Sequence, residues 1–396
     1  MNLPEIDFAL EDLPGAALHE ALEAFRSHGD LAPAKFGGQP AWVIASHAPL
    51  LEAFTDSERF PPHRMYQLSF EPAIGESFIS MPEPERHRVY RKLATPAFRS
   101  RAIQSYEREG LASLAHELID PLVADVQSRG TIDLVAAFTS RFPYLVITRL
   151  LGLPRERENE FHQWALALLR FREDPAEAER SAREFTAYLS PIVEARRAQP
   201  ENDVISELAA ARVEGRALTD EEIFSHVRLL FPTGGETTHG SLGNAIYAVL
   251  THPDCWRRLR EDPEIAPRIV EEALRWETSI AVLPRMSASH PIEFRGQKIE
   301  PDTWVLFAAA GANRDPAMHA NPHRFDIDRK AGDTLTFGRG VKSCPGMHLA
   351  KRNMTVALQV LAERLPGIEL VPERTDAAVP RRTVLRCPEA LHVRLT

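Results

Sequence analysis

Cysteine is scarce in this chain: Cys255, Cys344 and Cys387 are its only three, far apart and odd in number. That speaks against a disulfide framework and against a structural zinc site, which needs clustered ligands, and it fits a reducing, cytoplasmic setting. Long apolar runs are missing as well. Nowhere do about 18 consecutive apolar residues occur, so no segment is expected to span or bind a membrane. The opening MNLPEIDFALEDLPG carries acids and prolines without a basic flank or an apolar run, which excludes a signal peptide or an anchor. Serine/glycine-rich linkers, long charge runs and internal repeats are also lacking, so residues 1–396 are read as one domain. The net charge of −9 argues against general affinity for nucleic acid.

What is present is an ordinary globular mix, 44% hydrophobic and 26% charged, able to bury a large core. Helical periodicity dominates. Leu18, Ala21, Leu22 and Phe25 form one apolar stripe, and similar patterns run through about 101–127, 134–152, 157–171, 176–198, 219–251 and 264–277. Strand-like pieces are short: AWVIA at 41–45, PIEFRG at 291–296 and TWVLFAAA at 303–310. The expectation is a mainly α protein with a small β-rich portion built mainly from the N-terminal and 285–310 segments, without alternating βαβ units. No glycine-rich nucleotide loop follows a strand.

The strongest local signal is FGRGVKSCPG, Phe337 to Gly346, leading into a helical stretch in which Met354, Ala357, Leu358 and Leu361 share a face. Cys344 thus sits in a glycine-punctuated loop at a helix N-terminus. Backbone N–H groups and the positive helix end are expected to lower its pKa. Gly338, Gly340 and Gly346 are expected to permit tight turns, and Phe337 offers a ring to pack nearby. Cys255 and Cys387 lack such a setting and read as small buried hydrophobes.

FGRGVKSCPGMHLA resembles the haem-ligand loop of the cytochromes P450, Phe-Gly-x-Gly-x-His-x-Cys-x-Gly, with Lys342 where many members carry histidine. The resemblance implies haem b held by the Cys344 thiolate and buried between a long distal helix and the cysteine-loop helix. Further motifs follow the family's order. Glu272 and Arg275 match its Glu-x-x-Arg, and the resemblance implies that Arg324 joins them in a buried network bracing the loop. The same spacing elsewhere, as at Glu85/Arg88 and Glu177/Arg180, reads as solvated helical pairs. His87 and Arg91 on one helical face match the His-x-x-x-Arg that holds haem propionates, and Arg285 matches a further propionate-binding arginine. Lys342 would act there as a point charge.

LLFPTGGETTHG at 229–240 places Pro232, Gly234 and Gly235 inside a helical stretch. Relative to alanine this costs roughly 1 kcal/mol per glycine and 3 for proline. Either the helix packs closely on a neighbour, or it is distorted to admit a ligand with Glu236 and Thr237 at the opening. The segment resembles the family's oxygen groove, Ala-Gly-x-Glu-Thr-Thr, with Thr233 and Pro232 as departures. By that resemblance Gly234 lies against the cofactor, and Glu236 and Thr237 are catalytic, supporting proton delivery during oxygen activation.

The implied function is a soluble, monomeric monooxygenase that uses O2 and two external electrons to hydroxylate a small hydrophobic substrate. A ferredoxin or flavodoxin is the expected donor, because no flavin or nicotinamide pattern is present. Arg99, Arg101, Arg339, Lys351 and Arg352 are its expected basic docking patch. Alternatives are a peroxide-driven, coupling or decarboxylating enzyme with the same cofactor, or a haem-based sensor. Pocket walls are expected near 62–80, 165–185, 229–237, 279–284 and 378–388. Met65, Leu68, Phe70, Phe78, Ile79, Leu166, Leu169, Ile280, Val282 and Leu283 are their apolar members.

Overall fold

The expected helix at 219–251 becomes the axis of the molecule, running from Asp220 to Thr251 and buried along most of its length. Thr219 starts it with a capping box. Its hydroxyl accepts from the Glu222 amide at 3.2 Å, and the Glu222 carboxylate accepts from the Thr219 amide at 2.8 Å. The computed structural model describes residues 3–98, 110–330 and 332–395.

The helix stays continuous through Pro232, so the expected distortion does not break it. Its glycines answer to packing instead. A Cβ on Gly235 would fall 2.4 Å from the Tyr144 ring, and one on Gly234 would fall 3.0 Å from Ile147. Both neighbours lie on helix Phe142–Leu151, which therefore seats directly on the central helix. Three hydroxyls turn back on the helix: Thr233 donates to Leu229 O (2.6 Å), Thr237 to Thr233 O (2.7 Å) and Thr238 to Gly234 O (2.9 Å).

Helices Glu158–Leu169, Pro175–Ala198, Ala266–Trp276 and Met347–Arg364 also pack against this axis. Of the expected helix at 101–127, the described part is Leu111–Arg129, and 101–109 lie outside the described residues. The expected helix at 134–152 is divided into a π-helical turn, Val135–Thr139, and helix Phe142–Leu151.

The β portion lies to one side, in the order Ala32–Phe36, Gln39–Ile44, Trp304–Phe307, Leu283–Met286. The first two strands form a hairpin about Gly37-Gly38, whose φ values of 61° and 75° suit the turn only because neither residue has a Cβ. Strand 304–307 pairs parallel to 39–44 and antiparallel to 283–286, placing Arg285 opposite Val305. The expected strand at 303–310 ends early, because Ala309–Ala312 turn into a helix. A second sheet, Ile368–Leu370, His392–Leu395 and Ile132–Asp133, went unpredicted.

Candidate active site

Cys344 stands between a single 3-10 turn, Gly340–Lys342, and the helix beginning at Met347. Two of the three loop glycines are conformationally required. Gly338 and Gly340 have φ of 64° and 74°, and a Cβ on Gly340 would lie 2.6 Å from the Phe54 carbonyl oxygen. Gly346 differs from expectation: its φ of −85° is open to any residue, and its amide instead faces the sulfur. The Cys344 amide donates to Phe337 O at 2.9 Å, closing the loop.

Cys344 is exposed only in the sense that it faces an internal cavity of about 670 Å³, which Phe337, Gly338 and Gly346 also line. The thiol pKa departs from expectation as well. Burial pushes it up, and the Gly346 and Met347 amides with the Arg91 charge do not offset that. A metal ion on the sulfur would remove the proton outright.

Three basic side chains, Arg91, Arg285 and Lys342, line this cavity, and a fourth, His87, is buried close to Lys342 and Arg91 without reaching the lining; together they come from three separate elements. His87 and Arg91 come from helix Pro84–Ala94, Arg285 from the sheet and Lys342 from the cysteine loop. Among the described residues no carboxylate pairs with any of them. Burial, reinforced by Lys342 and Arg91, holds the His87 pKa down to about 4. Burial, with Arg285 and Arg91, holds Lys342 at about 7. Arg91 Nη2 reaches Ser343 O (2.5 Å), and Lys342 Nζ reaches Phe78 O (2.7 Å), while Arg285 lies 4.9 Å over the Tyr66 ring. His87 Nε2, Arg91 Nη1 and Arg285 Nη1 are buried with no hydrogen-bond partner. Buried donors of this kind, repelling one another, call for an anion. Two carboxylates at the edge of a flat ligand, with a metal over the Cys344 sulfur, satisfy every one of these groups, so the residues fit a haem.

Opposite the cysteine, Gly234 and Thr237 line the cavity. Glu236 does not, because adjacent positions of a helix point about 100° apart. It is buried behind the cavity wall, where Tyr144 Oη donates to its Oε2 at 2.7 Å and His162 Nε2 stands 3.2 Å from the same oxygen. Burial opposes its charge, but His162, His239 and Tyr144 together hold its pKa at about 2. His162, His239 and Tyr144 were missed in the sequence. Tertiary packing of three helices brings them together, and only Glu236-x-x-His239 is legible as a spacing.

The apolar walls follow the expected segments in part. Met65, Phe70, Phe78, Ile79, Leu169, Ile280 and Leu283 line the cavity. Leu68 is instead half exposed, Leu166 lies off the lining and Val282 is sheet core. Arg170, Arg172 and Arg382–Leu385 line it from expected segments, whereas Phe8–Asp12 line it unexpectedly.

The bracing network also needs a correction. Arg275 and Glu272 form a buried two-pronged pair, both contacts at 2.7 Å. Arg324, however, offers only its carbonyl oxygen and leaves its side chain exposed. Arg329 takes the expected place, 3.3 Å from Glu272. From Arg275 the path runs to Asn313 O (3.0 Å), and Asn313 Nδ2 then donates to Thr336 Oγ1 (2.8 Å), beside the cysteine loop. The expected docking cations are largely neutralised: Arg339 pairs with Asp333 and Lys351 with Glu271. Arg99 and Arg101 lie outside the described residues. Burial pushes the Cys255 thiol up to about 12 and that of half-buried Cys387 to about 11.

The family model described as Cytochrome P450 matches residues 8–366. The chain is 31% identical over 408 residues to 6-deoxyerythronolide B hydroxylase of Saccharopolyspora erythraea, covering 97% of this chain and 98% of that protein. It is also 31% identical to mycinamicin IV hydroxylase/epoxidase of Micromonospora griseorubida, covering 90% of each. A myxobacterial cytochrome P450 solved in complex with myristic acid superposes with a TM-score of 0.85 at 30% identity, covering 96% of this chain and 97% of that one. Among the described residues no helix is long and apolar enough to cross a membrane.

Proposed function

The chain belongs to the cytochrome P450 family of haem-dependent monooxygenases, and from that premise we propose that it hydroxylates a hydrophobic small molecule with two electrons from a separate ferredoxin or flavodoxin. The observation carrying this reading is the convergence, on one mostly apolar cavity, of Cys344, the unpartnered cations and Thr237. A related hydroxylase and a structural neighbour solved with a fatty acid support an apolar substrate. The protein works as a single-domain monomer in the cytoplasm.

Haem, when bound, supplies the oxygen-activating iron chemistry; the residues around it supply ligation, orientation and proton control. Cys344 Sγ would hold the haem iron, and its thiolate would supply electron density to it. Arg91, Arg285 and Lys342, with His87 close by, would hold its two propionates through charge-assisted bonds. Thr237 spends its hydroxyl hydrogen on Thr233 O, so its lone pairs are free to accept a hydrogen bond from the cavity side. Glu236 sits behind it as a charged relay, reached from solvent through the half-exposed His162.

The reduced, CO-bound protein is expected to show the red-shifted band of thiolate-ligated haem, and Cys344→Ser to lose both that band and turnover. Persistence of both in the variant overturns the reading. Oxygen and reductant consumption that rises with substrate separates this function from the peroxide-driven alternative, which needs no reductant.

A further inference from the structure

Glu236 has more around it than a relay requires. One ligand atom each from His162, Glu236 and His239 lies within 4.8 Å of the other two. The two imidazoles stand edge to face, 5.7 Å between ring centres and 76° between planes. We propose that His162, Glu236 and His239 form a binding site for a divalent transition-metal ion of the zinc class, with two imidazole nitrogens and one carboxylate oxygen as ligands.

The ligand set is one that zinc takes readily, leaving a fourth tetrahedral position to water. Bonds of 2.0–2.1 Å place tetrahedral ligand atoms about 3.3 Å apart. His162 Nε2 and Glu236 Oε2, at 3.2 Å, already match that edge. The two edges to His239 lie within 4.8 Å, and modest rotation of the His239 and His162 rings would bring them to that length. The supporting shell is in place too. Thr139 Oγ1 holds His239 Nδ1 at 3.1 Å, which leaves the other ring nitrogen for a metal, and Tyr144 orients the carboxylate. His162, opening to solvent, is the way in.

A metal here would take the Glu236 carboxylate out of proton traffic beside Thr237, a consequence that rests on the relay role proposed above. Haem-loaded protein, stripped with a chelator, is titrated with Zn²⁺ by calorimetry, and bound zinc per chain is counted by mass spectrometry. The expected result is one zinc per chain, with His162→Ala and Glu236→Gln each weakening affinity by ~10-fold or more. Zinc-edge absorption should give nitrogen and oxygen neighbours near 2.0 Å. Equal affinity in wild type and His162→Ala, or a sulfur shell near 2.3 Å, overturns the site. His162→Ala changes a half-exposed side chain, and its haem spectrum reports that the fold is intact. In turnover, zinc should lower product formed per reductant consumed. One zinc bound at this site with coupling unchanged leaves the site standing and overturns the relay role of Glu236.

Discussion

Two buried charge clusters flank the cysteine loop, and they are built on opposite principles. Around Glu272 and Arg275 every charge meets its complement: carboxylate to guanidinium, guanidinium to three carbonyls, carboxylate to the Asp326 amide. Around Arg91, Arg285, His87 and Lys342 no acid pairs among the described residues, and donors are left over. Both are buried, so exposure does not tell them apart. Completeness does. A cluster that closes on itself serves the fold, and one left open by a definite charge serves a ligand.

Substitutions should separate the two. Glu272→Gln strands a buried Arg275, and about 3–5 kcal/mol of stability should be lost whether or not haem is bound, as read by denaturant unfolding of both forms. Arg285→Gln should behave otherwise. In haem-free protein it relieves repulsion and loses no more than about 1 kcal/mol of ring contact with Tyr66. Haem should nevertheless leave it ~10-fold faster or more, measured by transfer to a scavenging globin, since a hydrogen bond to a charged group contributes about 1.5–3 kcal/mol. Equal damage to the haem-free form in both variants would erase the distinction.

Much of the closed cluster's partner list, and nearly all of the open one, could be read from the sequence. His87, Arg91, Arg285 and Lys342 lie in short motifs or at fixed offsets from them, because a rigid ligand imposes fixed spacing. Arg329 could not be told from Arg324, since both follow Pro322 in one irregular loop and only its path decides which side chain turns inward. Glu236 and Thr237 were both legible as chemistry, but not their opposite orientations. His162 and Tyr144 carry no spacing signal because they arrive from other helices. The thiol pKa was misjudged for a related reason: helix and amide effects are local and visible, whereas burial depends on everything folded around them.

The contrast between satisfied and open groups extends to single side chains. Thr237 keeps an unused acceptor facing the cavity, so Thr237→Ala should lower product per electron pair about tenfold and release peroxide. That is short of the ~10²-fold that a positioned proton-transfer group contributes, because water can enter the space. Thr237→Ser should restore coupling. His226 is the satisfied counterpart: its Nδ1 meets Glu222 O at 2.6 Å, and its Nε2 accepts from the Phe78 amide at 3.3 Å. Burial holds its pKa at about 4 against an ordinary 6.5, so the unfolded chain takes up a proton where the folded one does not. Its contribution to stability is therefore complete above about pH 6.5 and lost as pH falls toward 4, with a slope of at most ~1.4 kcal/mol per pH unit. His226→Gln should flatten that slope in unfolding measured across the window.

The cavity rim joins Phe8 to Thr383 by a hydrogen bond spanning 375 positions, and Asp12 to Arg382 by another. A wall stitched from such distant residues cannot form while the chain is still growing outward from its N-terminus. Closure of that rim must then follow synthesis of the segment near 385, after the Cys344 loop has already been made.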